Sequence, residues 1–532
     1  MALSLTIWNW LLAFLPVLVV VVMMLAFRWG GSRAGALGWL TAVLVALFFF
    51  GAGFELLAVA QVKAILLSLD VLYIIWAALL LFNIAREAGA IRMIGQTLPR
   101  LTGDRVMQSL LIGWLMVTFL QGLGGFGVPV AVCAPMLVGL GYSPVQAVAM
   151  ASMGDGWAVT FGSLGSSFQS LMAVTGLSYE ELGPLSAILI GISGFPSGLL
   201  VAVIGNGWRS VKRALLPTLF LSLAMGITQY FLVVNGLWTL GTTGASVIGL
   251  LFGFLMVRLP AFRNNVGEED GVDAASDPRD KGKSLWLSLL GYEILVVLAF
   301  VVNLVPVVKS FLSPVVLSLD FPEVSTRFGW LTAAGAGREI NVFAHPGAIL
   351  LYSCIISFFI YRKLGYIEKG ALKRISENVL KSGVNSSLGI LAMVGVASIM
   401  MHAGMTYLLA EGLSVSFSRE IYPAIAPFIG ALGAFITGSN TNSNVLFGVL
   451  QQSTAQLLNL SVPLILAAQT AGGSLGSVLA PAKVIVGCST VGLSGKEGEV
   501  MRKLLGYGMI TLLTVAVAAL ILAGTGFLGI RY

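Results

Sequence analysis

Gly438-Ser439-Asn440-Thr441-Asn442-Ser443-Asn444 is a run of small polar residues inside a region that otherwise reads as membrane core. Largely apolar sequence precedes it over 427–436, and another apolar run follows over 445–450. Each flank is too short to cross about 30 Å of hydrocarbon, which takes about 20 helical residues. Two half-length helices meeting at a Gly/Ser/Asn/Thr tip predict a re-entrant hairpin rather than two spans. Non-helical backbone at membrane depth persists only where it is buried in protein or lines a wet cavity. The tip is therefore the first candidate for a binding site.

The rest of the chain supports a membrane setting. Its 532 residues are 57% hydrophobic and only 10% charged, with a mean hydropathy of +0.95. An average soluble domain carries about 25% charged residues, so this is an all-α polytopic membrane protein with the lipid bilayer as its solvent. The net charge of +7 does not point to nucleic acid. The Lys and Arg residues sit in short loops, as membrane topology requires. Cys133, Cys354 and Cys488 lie in apolar segments without metal-ligand spacing, which suits small buried hydrophobes and implies no disulfide framework. Residues 5–27 lack a basic n-region, are long enough to span and are followed by Arg28 and Arg33. They read as a first transmembrane helix with its N-terminus outside, not a cleaved signal.

About twelve spans are expected, over 5–27, 34–59, 65–85, 145–175, 185–204, 214–234, 241–257, 285–305, 347–361, 384–401, 463–493 and 504–528. Two re-entrant hairpins join them, at about 108–140 and 423–460. The first is broken at Gln121-Gly122-Leu123-Gly124-Gly125-Phe126-Gly127-Val128-Pro129. Residues 86–105, with Arg86, Glu87, Arg92, Arg100, Asp104 and Arg105 among apolar neighbours, read as an amphipathic surface helix. With Arg28 and Arg33 inside, counting spans puts the basic loops 86–105, 209–213, 258–283, 362–381 and 496–503 inside too. Glu180 and Glu181 fall outside. The count closes when the first hairpin enters from the cytoplasm and the second from outside, with both termini outside. The 310–345 loop is also outside despite Arg327 and Arg338, because long loops translocate largely regardless of charge. Residues 264–283 are polar and read as a cytoplasmic linker.

Each half then has the same order: spans, a hairpin, a Gly-interrupted span, another span. The expected organisation is an N-terminal repeat over 1–234, a connecting helix and linker over 235–284, and a C-terminal repeat of inverted topology over 285–532. The interrupted spans carry Gly162-Ser163-Leu164-Gly165-Ser166 in one half and Gly473-Ser474-Leu475-Gly476-Ser477 in the other. Paired interrupted segments in inverted halves are the best sequence pointer to the central site of a secondary transporter. Half-helix N-termini aim positive dipole ends at an anion, and freed carbonyls can hold a cation.

At these residues the chain resembles the L-lactate permease family. The motifs are Gly124-Gly125-Phe126-Gly127-Val128-Pro129-Val130-Ala131, Val138-Gly139-Leu140-Gly141-Tyr142, Val159-Thr160-Phe161-Gly162-Ser163-Leu164-Gly165, Gly438 through Gly448, and Val491-Gly492-Leu493-Ser494-Gly495-Lys496-Glu497-Gly498-Glu499. They run through both halves in order. The resemblance implies proton-coupled uptake of lactate, glycolate or related short 2-hydroxy-monocarboxylates across the bacterial inner membrane, with a homodimer open to it. The Ser439-Asn440-Thr441 tip is also similar to the hairpin motif of sodium/dicarboxylate symporters, which implies an elevator-type movement. Two positions depart from the family pattern. Gly154-Asp155-Gly156-Trp157 stands where many members have an Asn-Thr/Ser-Ala/Phe-Pro-type sequence, and Ala480-Pro481-Ala482-Lys483 where many have Ser-Pro-Gln-Ser. Both bring ionisable groups toward the expected site.

An intramembrane charge costs about 2.5–3.5 kcal/mol on insertion scales and marks function by default. Lys483 is expected to attract the substrate carboxylate, with Asp155 tuning it or carrying the proton. The alternative is a structural ion pair joining the two repeats. His402, near the outer end of its span, is a second proton-coupling candidate, although a lone His at a helix end is more often structural. Ser439, Asn440, Thr441, Asn442, Ser443 and Asn444 can serve a carboxylate and a hydroxyl together, or merely satisfy the tip's own backbone. Gly124, Gly125 and Gly127 allow close backbone approach, or tight helix packing, and Phe126 can cover a methyl group. Ser163, Gln469 and Ser474, at the two interruptions, complete the expected binding set. No metal site or cofactor is expected. An enzyme would need a nucleophile–base pair, a metal cluster or a nucleotide loop, and the sequence offers none. A channel would not need paired hairpins. A sodium-coupled carboxylate symporter of the same architecture remains the alternative to proton coupling.

Overall fold

The computed structural model describes residues 3–27, 29–90, 93, 102–125, 127–260, 262, 285–493 and 496–525. Three helices open the chain: α1 (Ile7–Leu25), α2 (Gly31–Phe48) and α3 (Phe54–Ala88). The helix α4 (Arg105–Leu123), π-helical over Leu111–Met116, is followed by α5 (Val128–Gly139), with Gly125 and Gly127 in left-handed backbone between them. A break separates α6 (Pro144–Asp155) from α7 (Ser166–Thr175); α8 (Tyr179–Asn206), α9 (Val211–Val234) and α10 (Gly241–Val257) follow. After these come α11 (Leu285–Leu304), α12 (Pro306–Leu312), a small β ribbon, α13 (Pro346–Lys363), α14 (Ala371–His402) and α15 (Met405–Ser416). The chain closes with α16 (Tyr422–Thr437), α17 (Asn440–Leu457), α18 (Val462–Val478), α19 (Pro481–Thr490) and α20 (Glu497–Thr525).

Burial sorts these helices into centre and rim. The most apolar window of α4 is 94% buried and that of Val462–Thr490 is 89% buried, against 22% for Ile7–Met24. α4 and the broken helix over 462–490 are therefore the core, and α1 lies at the edge. On α9, Leu216, Leu223, Ile227 and Phe231 are all more than half exposed. Their spacing of seven, four and four residues makes one stripe, an apolar face that only lipid covers without cost.

Among the described residues ten helices are long and apolar enough to cross a membrane, or eleven if the bent pair Leu289–Val302 and Pro306–Leu312 is one span. The sequence led us to expect about twelve. The tally differs because 144–175 is split into helices of 12 and 10 residues and because α13, ending on Arg362-Lys363, is not among the ten. Conversely α4, expected as one arm of a re-entrant hairpin, is counted among them.

A second difference concerns the early spans. The expected break at 60–64 is instead continuous helix, and the turn lies at 49–53, where Gly51 takes a left-handed φ of +67°. Gln61 and Lys63, which lie between the two expected runs, have partners inside the protein. Trp39 Nε1 donates to Gln61 Oε1 at 2.7 Å, and Lys63 Nζ lies 5.1 Å from the Phe321 ring centroid.

The 310–345 loop carries the only strands among the described residues. Three nested antiparallel pairs, Val316–Leu317 with Ile340–Asn341, Asp320–Phe321 with Gly335–Ala336, and Val324–Ser325 with Leu331–Thr332, form one ribbon. It docks on the 49–53 turn, where Arg327 N donates to Gly51 O at 2.8 Å. The surface helix expected over 86–105 lies mostly outside the described residues, as does the linker over 264–283.

Candidate functional site

The tip at 438–444 is shorter than its composition suggests. α16 ends on Gly438 at φ +71°, a left-handed conformation that favours glycine, and Ser439 is already the N-cap of α17. Ser439 Oγ accepts from Asn442 N at 3.3 Å. Asn440 to Asn444 therefore form the first turn of a helix, so their side chains fan out at fixed angles from its N-terminus.

Those side chains meet the two broken helices. The first break runs from a 3₁₀ turn at Gly156–Ala158 to left-handed backbone at Ser163, Leu164 and Gly165. The second falls at Leu479 and Ala480, just before Pro481. Backbone groups freed by the first break are taken up by side chains of α18. Ser474 Oγ donates to Gly156 O at 2.7 Å and accepts from Val159 N at 3.1 Å and Thr160 N at 3.2 Å. Thr160 Oγ1 donates to Thr470 O at 3.0 Å. Asn440 Nδ2 ties the tip to both, donating to Thr160 Oγ1 and Thr470 O at 3.2 Å each. The tip and the two breaks form one hydrogen-bonded body.

Close backbone contact holds it together. A Cβ added at Gly472 of α18 would overlap the Pro427 carbonyl of α16. Small residues permit this approach, as in membrane helix pairs generally. Gly125, at the tip of the first hairpin, is equally constrained: a side chain there would strike Ser163 Oγ.

A cavity of about 460 Å³ opens beside this body, within the range usual for small-molecule sites of about 300–1,000 Å³. Ser163, Ser439, Asn440, Thr441, Asn442 and Lys483 line one side of it. Gly30, Gly31 and Ser32 at the start of α2, with Ser386, Gly389 and Ile390 of α14, line the other. Among the described residues of the wall Lys483 is the only charged one. The N-terminal turns of α2, α7, α17 and α19 all reach the cavity, through Gly31, Ser166, Asn440 and Lys483. Each presents the positive end of its dipole, so the wall favours a small anion.

The other expected site residues stand behind this surface. Ser443 Oγ donates to Gly430 O at 2.8 Å and accepts from Gln469 Nε2 at 3.1 Å. Asn444 Nδ2 donates to Ser167 O and Thr470 Oγ1, both at 2.9 Å. Asp155 is fully buried and sits behind Lys483, its Oδ2 3.4 Å from Nζ. Gly124, Gly125 and Gly127 do not line the cavity, Gly124 packing against the Phe82 ring. Phe126 lies outside the described residues. His402 is fully buried at the far end of α14, its Nδ1 2.8 Å from Ser398 O. It is about 20 Å along the helix from Gly389, at 1.5 Å per residue.

Several wall residues carried no sequence assignment. Gln121 and Ser166 belong to the interrupted motifs, which was a usable signal. Ser167 follows them directly, and its Oγ lies 3.1 Å from Thr441 Oγ1. Ser32, Ser386 and Gly389 come from helices without any motif, and only folding brings them in.

Residues 9–525 match the model of a family described as L-lactate permease. The glycolate permease GlcA of Escherichia coli strain K12 is 27% identical over 541 residues, covering 96% of this chain and 95% of that protein. The L-lactate permease of Streptococcus iniae is 29% identical over 473 residues, covering 86% and 93%. Among solved structures, the Alcanivorax borkumensis YdaH transporter aligns with a TM-score of 0.45 at 14% identity, over 85% of each chain.

Proposed function

The chain belongs to the L-lactate permease family, and from that membership we propose that it imports L-lactate, or a related short 2-hydroxy-monocarboxylate such as glycolate, by proton symport. It is a multi-pass transporter of the cell inner membrane and not an enzyme. The observation that carries the substrate reading is the position of Lys483, the only charge among the described residues of a polar wall where the N-termini of α2, α7, α17 and α19 converge. A carboxylate fits against Nζ and these dipole ends. The hydroxyls of Ser163, Ser439 and Thr441 and the amides of Asn440 and Asn442 are within the same wall for the 2-hydroxyl group. Ser443, Asn444, Gln469 and Ser474 hold that wall in shape.

Asp155 supplies a reason for coupling. In the empty site its carboxylate balances Lys483. An arriving substrate carboxylate competes for the same ammonium, and two anions around one buried cation leave an uncompensated charge. A proton on Asp155 restores the balance, so anion and proton bind together. His402 is the second candidate for proton transfer, away from the cavity. We further read 1–234 and 285–532 as inverted repeats joined by 235–284, in which the hairpins and broken helices move as an elevator against α2, α3 and α14.

Uptake into proteoliposomes tests this. Labelled lactate should accumulate under an imposed inward proton gradient without sodium. Accumulation only with a sodium gradient would replace the coupling ion, and accumulation of no short carboxylate under either would overturn the substrate.

A further inference from the structure

α2 begins without a cap. Gly30 stands at its N-cap with no side chain to accept a hydrogen bond, and its first turn holds no acidic residue. The first backbone bond of the helix runs from Ala34 N to Gly30 O at 3.1 Å. Among the described residues nothing accepts from the amides of Gly31, Ser32 and Arg33. Such orphan donors are ordinarily taken up by a capping side chain, by water or by a ligand. Gly30, Gly31 and Ser32 line the cavity, so this bare turn is part of its wall.

A second observation, on the opposite side of the cavity, points to the same place. The side chain of Asn442 is nine-tenths buried and lines the cavity, yet it makes no hydrogen bond among the described residues. Only its backbone N is engaged, by Ser439 Oγ. A Cβ added at Gly31 would stand 3.7 Å from Asn442 Nδ2, so the free amide is aimed at the start of α2. The α14 side leaves that turn open. A Cβ on Gly389 would stand 3.8 Å from Ser32 N and 3.9 Å from Gly31 C, and glycine leaves both uncovered. Ser386, one turn earlier on α14, adds a hydroxyl to the same wall. Among the described residues no Asp or Glu lines the cavity.

We propose that the start of α2, with Ser32, Ser386 and the Asn442 amide, is a second carboxylate subsite across the cavity from Lys483. The proposal deepens the substrate reading above and rests on it. It needs a short carboxylate in the cavity, but no particular acid and no particular coupling ion. Backbone N–H groups at a helix N-terminus bind an anion through charge-assisted hydrogen bonds. The dipole end there is equivalent to about half a unit charge. Lys483 carries a full charge and shares it with Asp155. The two subsites therefore hold an anion in different ways, and they belong to different helices, α19 and α2. A carboxylate can pass from one to the other without leaving the cavity.

Hydrogen exchange of the full-length protein in nanodiscs reads this contact directly, because free N–H groups exchange fast and bonded ones slowly. With saturating lactate the amides of 31–33 should slow about tenfold. Those beyond Gly35, already bonded within α2, should keep their rates. Ser32→Asp places a carboxylate in the turn, where an acid suits the helix dipole. In that variant the amides of 31–33 should be slow without lactate and gain nothing from it.

A carboxylate that binds without slowing 31–33 overturns the subsite and leaves the substrate reading intact. Slowing along the whole of α2 also overturns it, since that reports a more stable helix and not a bound anion. So does a Ser32→Asp protein that keeps the wild-type response to lactate. Should Ser32→Asp fail to fold, the wild-type pattern decides. Binding of labelled lactate is measured on the same samples. If lactate does not bind, glycolate and acetate take its place. Slowing at 31–33 by either keeps the subsite and overturns lactate alone, and binding of none of the three overturns both.

Discussion

Lys483 Nζ and Asp155 Oδ2 meet at 3.4 Å across 328 residues of sequence, each beside the break of a different helix. Lys483 also donates to Ser477 Oγ at 3.3 Å, and its side chain is 12% exposed against none for Asp155. The cation touches the cavity and the anion does not. Removing one partner of a buried pair costs about 3–5 kcal/mol, because the other is left charged and unpaired. Lys483→Gln should therefore lower the melting temperature and abolish lactate binding. The double variant Asp155→Asn with Lys483→Gln should regain most of the stability and none of the binding. Thermal unfolding in detergent beside equilibrium binding separates these effects. A double variant that binds lactate normally would show that the pair is only structural.

Asn440→Ala removes the amide that ties the tip to Thr160 and Thr470. Three oxygens around it lose a donor, including Thr470 Oγ1 at 3.3 Å. Leaving a buried polar group unpaired costs about 1–3 kcal/mol. We expect a folded protein whose lactate affinity falls about tenfold, the equivalent of about 1.4 kcal/mol. Unchanged affinity, measured by competition against labelled lactate, would remove Asn440 from the site.

Ser474 should behave differently from Asn440. Its hydroxyl serves one carbonyl and two N–H groups of the first break and does not line the cavity. Ser474→Ala should cost about 1–3 kcal/mol of stability and slow transport, with substrate affinity preserved in the folded fraction. A large affinity loss at unchanged melting temperature would make it a direct contact.

Gly472→Ala tests the α16–α18 contact. The added methyl group overlaps the Pro427 carbonyl, which belongs to backbone and cannot rotate away. Overpacking of this kind costs about 1–3 kcal/mol or more. Gly498→Ala is the control, because among the described residues no atom outside its own helix backbone and its two chain neighbours lies within 4 Å of a Cβ there. Yield and melting temperature should fall for the first and hold for the second.

Composition and pattern determined that this chain spans a membrane many times and that two of its helices, over 144–175 and 462–490, are interrupted, while the family was legible as a resemblance carried by the Gly-rich and Ser/Asn motifs. These are one-dimensional properties: a polar run of seven residues flanked by half-length apolar segments has few physical solutions in lipid. Local helix and turn ends were less legible. Helix runs on through 60–64, between the spans expected over 34–59 and 65–85, with Gln61 and Lys63 partnered by Trp39 and Phe321, neighbours that the sequence does not display. Asn440 to Asn444 read as a loose tip because Ser439 caps a helix that begins inside the polar run. The opposite wall at Ser386 and Gly389, and the donors around the buried carboxylate of Asp70 in α3, were decided only by tertiary structure. Gln169, Arg338 and His345 reach Asp70 from 99, 268 and 275 residues away. Burying a carboxylate is unfavourable until such donors surround it, and which donors do so depends on how the helices pack rather than on any local pattern.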